Sequence, residues 1–587
     1  MPPPDTRRAA ALALVLLAGL PLSASLGAAL QAGLDGSGWT ALWQDPQTLP
    51  ALALSLGTGL SSTLLALLAS GWLLGGWLGA SPSQGLLRHL PRWLGPLLAL
   101  PHVAFAIGLV ALIAPAGWLL RLLSPWATGL DQPPPWPTTQ DPWGLGLILV
   151  LCAKEIPFLL WAGVAHLSRA DVAGRLRREL ALAHTLGCPA ATAWWRIGWP
   201  QVLPRLWTPL LAVLAYGLTV VDVALVIGPA APPTLATLAW QWLQDPDPLR
   251  NAQGAAAGWL LAALLALCML ALRAALHPAR WRGLWVRPRP LATPRPRAEP
   301  CGRPGSALPG NPPSLFRGLL PGRLPDLFPG LLLGLLLGLY LAVVLALAVG
   351  SLSGPWPFPD LLPQHLSTQA WQSVLGSGRT LWTTLGLALA AAVCAGIWVV
   401  AWLELAPASW QATARPLLLL PLALPGVLWA LGMHRLALRT ELDAAAAGLW
   451  LAHTLCCLPY VLMTLEGAYR AFDPRLAQVS ATLGQGPWTF LWRIKWPLLR
   501  APLAAAGAVG AAVSVAQYLP TLYVGGGRFE TVTTEAVALA AGGQRSLAAA
   551  YAGLQWLLPA LLFAAAHLGG RPRRPTTRAT PSDRPAP

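Results

Sequence analysis

Three ionisable side chains stand where water is scarce. Lys154 and Glu155 interrupt an apolar run over 144–167, and Asp222 interrupts another over 206–229. A charge in hydrocarbon is costly, so such residues face a bundle interior or a water-filled cavity and pair there. Gln517 holds nearly the matching place to Asp222 in a later run, with Tyr518 beside it. Carboxylates next to an aromatic face suit a cationic solute, which gains ion pairing and cation–π attraction together. Lys154, Glu155, Asp222, Gln517 and Tyr518 are therefore the candidate pathway residues. Pro157 and Pro520 are expected to break their helices so that freed backbone groups face the route. The plainer alternative is that Lys154 neutralises Glu155 or Asp222 and serves packing alone.

The residues suggest little other chemistry. The seven cysteines are scattered, apart from the pair Cys456–Cys457, and have no metal-ligand spacing. They read as small apolar filler, with neither zinc nor a structural disulfide expected. The run Gly525, Gly526, Gly527, Arg528 lacks the Lys-Ser/Thr of a nucleotide loop. No triad, metal cluster or paired-carboxylate site emerges, so the chain is expected to bind no cofactor and to be no enzyme on its own.

The elements that must position these residues are membrane helices. The chain is 55% hydrophobic and only 10% charged, outside the usual composition of soluble proteins. Its apolar residues gather into runs of about 20, the length a helix needs to span hydrocarbon. Candidate spans are 9–30, 51–80, 94–120, 144–167, 206–229 and 254–275, then 328–350, 379–402, 416–434, 444–468, 500–524 and 546–568. The fold class is thus all-α and polytopic, with about twelve spans in two groups of six. The first run resembles a leader, with Arg7 and Arg8 before it. Cleavage would leave eleven spans and break the symmetry, so it is expected to stay.

A net charge of +17 invites a nucleic-acid partner, but the charge is placed for a lipid bilayer instead. Arg7 and Arg8, Arg88 and Arg92, the group from Arg169 to Arg196, Arg470 to Lys495 and the arginine-rich 273–327 fall in alternate loops. The intervening loops at 29–50, 229–253 and 351–377 carry Asp35, Asp45, Asp245, Asp247 and Asp360 against a lone Arg250, and only 435–443 is mixed. By the positive-inside rule both termini are cytoplasmic.

The two groups repeat one another. LALPHVAFAIG at 98–108 returns as LALPGVLWALG at 422–432, pairing Pro101 with Pro425 and Gly108 with Gly432. The first half is longer after this point, which places an insertion at about 115–143; its Pro, Trp and Asp favour an extended external loop. The expected domains are a first repeat over 1–275, a Pro/Arg-rich cytoplasmic linker over 276–327, a second repeat over 328–570 and a basic tail over 571–587. Linker and tail cannot bury a core and read as disordered tethers.

A second repeat carries more. ALAHTLGCPAATAWWRIGWP at 181–200 and QVSATLGQGPWTFLWRIKWP at 478–497 are identical at nine of twenty positions. Gly187 and Gly484 permit the positive φ that ends a first short helix. A second helix carries Trp195, Arg196 and Ile197, or Trp492, Arg493 and Ile494, and Pro200 or Pro497 leads into the next span. Interfacial anchoring explains Trp and Arg between spans but not the same Gly, Ile and Pro spacing twice.

This spacing resembles the EAA loop of ABC-importer permeases, and the layout resembles the fused two-repeat permeases of thiamine and ferric-iron importers. The stretches 154–158 and 514–539 are most similar to the YnjC-type permeases, a group associated with thiamine transport. The resemblance implies two parallel six-helix type I repeats in a bacterial inner membrane. It also implies two cytoplasmic ATPase subunits that use ATP and magnesium, and a periplasmic solute-binding protein. Gly187, Trp195, Arg196, Ile197, Pro200, Gly484, Trp492, Arg493, Ile494 and Pro497 would form the coupling loops, and the solute would be thiamine or a relative, with ferric iron next. Two departures stand out: Ala181 and Gln478 replace the motif's leading glutamate, and Trp199 and Trp496 replace its leucine. An ion-coupled secondary transporter has a similar span count, but gives no reason to keep the repeated loop.

Overall fold

The computed structural model describes residues 4–79, 85–275 and 324–570. Most of the linker and all of the tail lie outside them. Among the described residues, nine helices are long and apolar enough to cross a membrane, and three further pairs are bent at a break. Together these match the twelve runs. Helices are forced here, because in hydrocarbon every N–H and C=O must find its partner within the segment.

The repeats are not self-contained. The first span, Pro4–Gly33, packs along Gly426–Arg439 of the second half. The seventh, Leu324–Ser351, packs along His102–Ile113 of the first half. Each half has thus given its leading helix to the other. Gly108 and Gly432 mark the crossings: a Cβ at Gly108 would press on the backbone and side chain of Val343, and one at Gly432 on the backbone of Ser25. The glycines repeat because each lets a helix from the opposite half approach closely.

Four spans are broken, and not where prolines alone predict. In the third span, Leu90–Ala99 ends at Leu100 and Pro101 caps His102–Ile113. In the ninth, Pro425 caps Gly426–Arg439 after a bend of 106° from Ala408–Ala423. The fifth span splits into Trp207–Thr219 and Asp222–Ile227 at Val220 and Val221, and the eleventh into Arg500–Val515 and Leu519–Gly525 at 516–518. Pro520 sits in the first turn after that last break, where proline is tolerated.

Pro157 breaks nothing, contrary to the expectation. The helix Leu145–Leu167 runs straight through it. A proline deprives the carbonyl four residues back of its donor. Here that carbonyl, on Ala153, accepts a hydrogen bond from the Tyr340 hydroxyl of the exchanged seventh span at 3.2 Å.

Paired hydroxyls anchor the helices that follow the broken spans. Ser55 Oγ accepts from the Leu235 N–H at 2.8 Å, and Thr384 Oγ1 from the Val532 N–H at 2.9 Å. The insertion is less loose than expected. It contains the short helix Trp118–Leu123, and buried Arg121 donates to the carbonyls of Pro357 and Asp360 at 2.7 Å while stacking on Trp356. That side chain pins the insertion to the loop before the eighth span.

Candidate functional site

The repeated loops fold alike. Ala170–Thr185 and Arg475–Thr482 end at Leu186 and Leu483, followed by Gly187 at φ +79° and Gly484 at φ +73°. In the first loop Cys188 N–H bonds Ala183 O at 3.0 Å and Gly187 N–H bonds His184 O at 2.9 Å; in the second the pairs are Gln485 with Ser480 at 3.1 Å and Gly484 with Ala481 at 3.0 Å. This double closure satisfies the last carbonyls of a helix and requires the left-handed residue in between.

The second short helix contains a wide π-type turn in both copies, Trp194–Gly198 and Leu491–Lys495. Pro200 and Pro497 follow in the next turn. A proline ring crowds the carbonyl one turn back, and a locally widened turn relieves it. The chain turns into the next span only later, by 72° before Trp207 and 74° before Arg500. Arg196, Trp492 and Arg493 are exposed, Trp195, Ile197 and Ile494 are half-buried, and Leu182, Leu186, Val479, Leu483 and Trp488 add exposed apolar surface.

The loops are held to the bundle differently. In the first, Trp194 and Trp199 are buried, the Trp194 indole donates to Gly71 O at 2.9 Å, and rings cover Gly71 and Gly75. Gln201 Nε2 also reaches Glu179 Oε2 at 2.6 Å. Thus Glu179, two residues ahead of the motif's glutamate position, ties the loop's arms together. In the second loop Leu476 and Leu498 stand at those two places. Its anchor is ionic instead: Lys495 pairs with Glu404 at 2.8 Å, both largely buried, and lies 4.7 Å from the Tyr469 ring centroid.

Deeper in the bundle, groups from both halves converge on the broken spans. Glu155 Oε1 lies 3.2 Å from His102 Nε2, and the His102 ring is 4.6 Å from that of Tyr216. Asp222 opens the second segment of the fifth span, its Oδ1 accepting from Val223 N–H at 3.0 Å. It is close enough to act electrostatically on His102, Tyr216 and Tyr518, as Glu155 is on Tyr216 and Tyr460. Asp222, Tyr216, Gln517 and Tyr518 are half-buried and Tyr460 is 38% exposed, so none of them is sealed in the core. Sequence reasoning missed His102, Tyr216 and Tyr460, although His102 follows Pro101 and Tyr460 follows Pro459.

Lys154 also holds backbone. Buried, it donates to the carbonyls of Leu97 (3.0 Å) and Leu100 and lies 5.3 Å from the Tyr340 ring centroid. It caps the third span where Pro101 breaks it, and so positions His102. Gln517 is not the counterpart of Asp222: the repeat register matches it to Val220, and Asp222 to Leu519. His102 corresponds to Gly426 in the register of Pro101 and Pro425, and matching Pro157 to Pro459 sets Lys154 and Glu155 against Cys456 and Cys457. The ionisable groups of the cluster are therefore concentrated in one half. The second half uses buried His453 instead, whose nitrogens lie 2.8 Å from Ser514 Oγ and 2.9 Å from Thr521 Oγ1, stitching both segments of the eleventh span together. Among the described residues no three His, Cys, Asp or Glu side chains gather within metal-binding reach.

No protein-family model matches the chain. It is 35% identical over 535 residues to the inner membrane ABC transporter permease protein YnjC of Escherichia coli (strain K12), covering 90% of this chain and 89% of that protein. The chain belongs to the ABC transporter permeases. Shorter matches agree. The molybdenum transport system permease protein ModB of Mycobacterium tuberculosis is 34% identical over 126 residues, 19% of this chain and 48% of that one. The thiamine transport system permease protein ThiP of Escherichia coli (strain K12) is 30% identical over 166 residues, 26% of this chain and 30% of that one. With its helices, this makes the permease a multi-pass protein of the inner membrane, and the secondary-transporter alternative is set aside.

Proposed function

We propose that this permease is the membrane-spanning subunit of a binding-protein-dependent importer and carries a small organic cation of the thiamine class inward. The carrying observation is the contact of Glu155 with His102, and of His102 with Tyr216, beside the break in the third span, with Asp222 placed at the break in the fifth. Carboxylates give charge complementarity and aromatic faces add cation–π attraction. Two cytoplasmic ATPase subunits seat on the loops at Gly187 and Gly484, using the exposed apolar and arginine surface. Their ATP-driven closure moves the loops and, through the bent fifth and eleventh spans, opens and closes a gap beside Asp222 and Tyr518. A periplasmic binding protein delivers solute from the other side, and both termini stay cytoplasmic.

A second reading, molybdate, is favoured by the shared stretch with ModB, but an oxyanion would face two carboxylates at the gap. The deciding experiment identifies, by native mass spectrometry, the ligand of the binding protein that stimulates this permease's ATPase in vesicles. Thiamine or a related cation is expected, with Asp222→Asn lowering its uptake at least tenfold. An oxyanion ligand, or full uptake by Asp222→Asn, overturns the cation reading.

A further inference from the structure

The second coupling loop borders an apolar cavity of about 810 Å³. Its walls are Gly396, Ile397 and Val400 of the eighth span, Trp492 of the loop and Gly507 of the eleventh span, with Arg7 at its edge. A Cβ placed at Gly396 or Gly507 meets nothing within 4 Å. In the first half the corresponding region is filled. Trp72 lies edge-on between Trp195 at 5.3 Å and Phe328 of the seventh span at 5.4 Å, while Gly75 and Gly76 are covered by Trp194 and Pro329.

Val393 and Ile397 of its lining are 58% and 67% exposed, as lipid-facing side chains are. Water gains nothing from so apolar a lining, whereas a hydrocarbon chain fills it at no polar cost. The charge at the edge selects the headgroup. Arg7 donates to the Glu404 carbonyl at 2.8 Å, but the Glu404 carboxylate is already committed to Lys495 at 2.8 Å. Beyond its bond to Glu404 O, Arg7 thus has a positive charge and further N–H donors suited to a phosphate oxygen.

We propose that this cavity holds an acyl chain of an anionic phospholipid whose phosphate pairs with Arg7. The lipid then packs directly against Trp492, so membrane composition bears on one coupling loop and not on the other.

The test uses the full-length permease extracted from bilayers of equal phosphatidylglycerol and phosphatidylethanolamine, with retained lipid read by native mass spectrometry. Wild type is expected to retain phosphatidylglycerol preferentially. Arg7→Gln should lower that preference about fivefold, the scale of one basic residue at an anionic surface. Gly507→Leu should expel the lipid by filling its place, while Gly386→Leu, on the eighth span but outside the cavity, should not. A benzophenone side chain at position 393 should cross-link to lipid. Equal retention of both lipids, no effect of Gly507→Leu, or cross-linking to residues 276–323 of the chain itself would overturn the assignment.

Discussion

Replacing Gly187 isolates backbone geometry from packing. The residue sits at φ +79°, and a Cβ added there meets nothing within 4 Å. An alanine therefore clashes with no neighbour, and its cost is the intrinsic one of a left-handed L-residue, about 1–2 kcal/mol. That amounts to roughly a 5–30-fold fall in the ratio of native to relaxed loop. The bonds at risk are those of Cys188 to Ala183 and Gly187 to His184. Asparagine tolerates this region better and should fall between glycine and alanine, while valine, stiff at Cβ, should be worst. The assay is ATPase stimulation in proteoliposomes holding permease, ATPase and loaded binding protein, with the permease's own melting temperature beside it. Stimulation should fall in the order Gly, Asn, Ala, Val with melting nearly constant. Full stimulation by Gly187→Ala, or equal loss in Asn and Val, would refute the reasoning, and Gly484 at φ +73° should repeat the series.

Three further outcomes are expected. Lys154→Met strips two buried carbonyls of their donor and should lower stability by about 3 kcal/mol, seen in thermal unfolding; a stable but transport-dead variant would return Lys154 to the pathway. Lys495→Met leaves Glu404 buried without its partner and should cost about 3 kcal/mol, while adding Glu404→Gln should recover most of it in a double-mutant cycle. Asp45 is a case for pH: burial opposes its ionisation, but the Gln47 N–H, Arg250 and Gln253 outweigh this and hold its pKa below the ordinary 3.8. A depressed carboxylate stabilises the fold above that value and loses the benefit as pH falls through its lowered pKa. Asp45→Asn should therefore lower the melting temperature at pH 7, and the gap to wild type should close below pH 3.8.

The sequence carried the parts whose signal is local. Gly187 and Gly484 end helices because only glycine takes that φ cheaply, and the spans follow from apolar length alone. Pro101 and Pro425 were visible as a repeated pair, but the runs 94–120 and 416–434 passed through them, and the breaks fall there. What stayed hidden depends on partners distant in the chain. Nothing near Val220 and Val221 signals a break, for both are β-branched and apolar. Pro157 read as a breaker because its rescue comes from Tyr340 in the other half. The capping role of Lys154 was hidden because the carbonyls it binds belong to another span. Gly108 and Gly432 were visible as a pair, but only the packing shows which helix each admits.

The exchange of leading helices imposes an order on biosynthesis. When the ribosome has finished His102–Ile113, the surface beside Gly108 has no cover until Leu324–Ser351 is made. At about 5–20 residues per second, that vacancy lasts from roughly ten seconds to most of a minute. During that time the nascent first half presents an unfilled helix-sized slot to the insertion machinery and to membrane proteases. A stalled or truncated chain is thereby marked as unfinished by its own geometry, and two halves made as separate polypeptides would each wait for the other before either could mature.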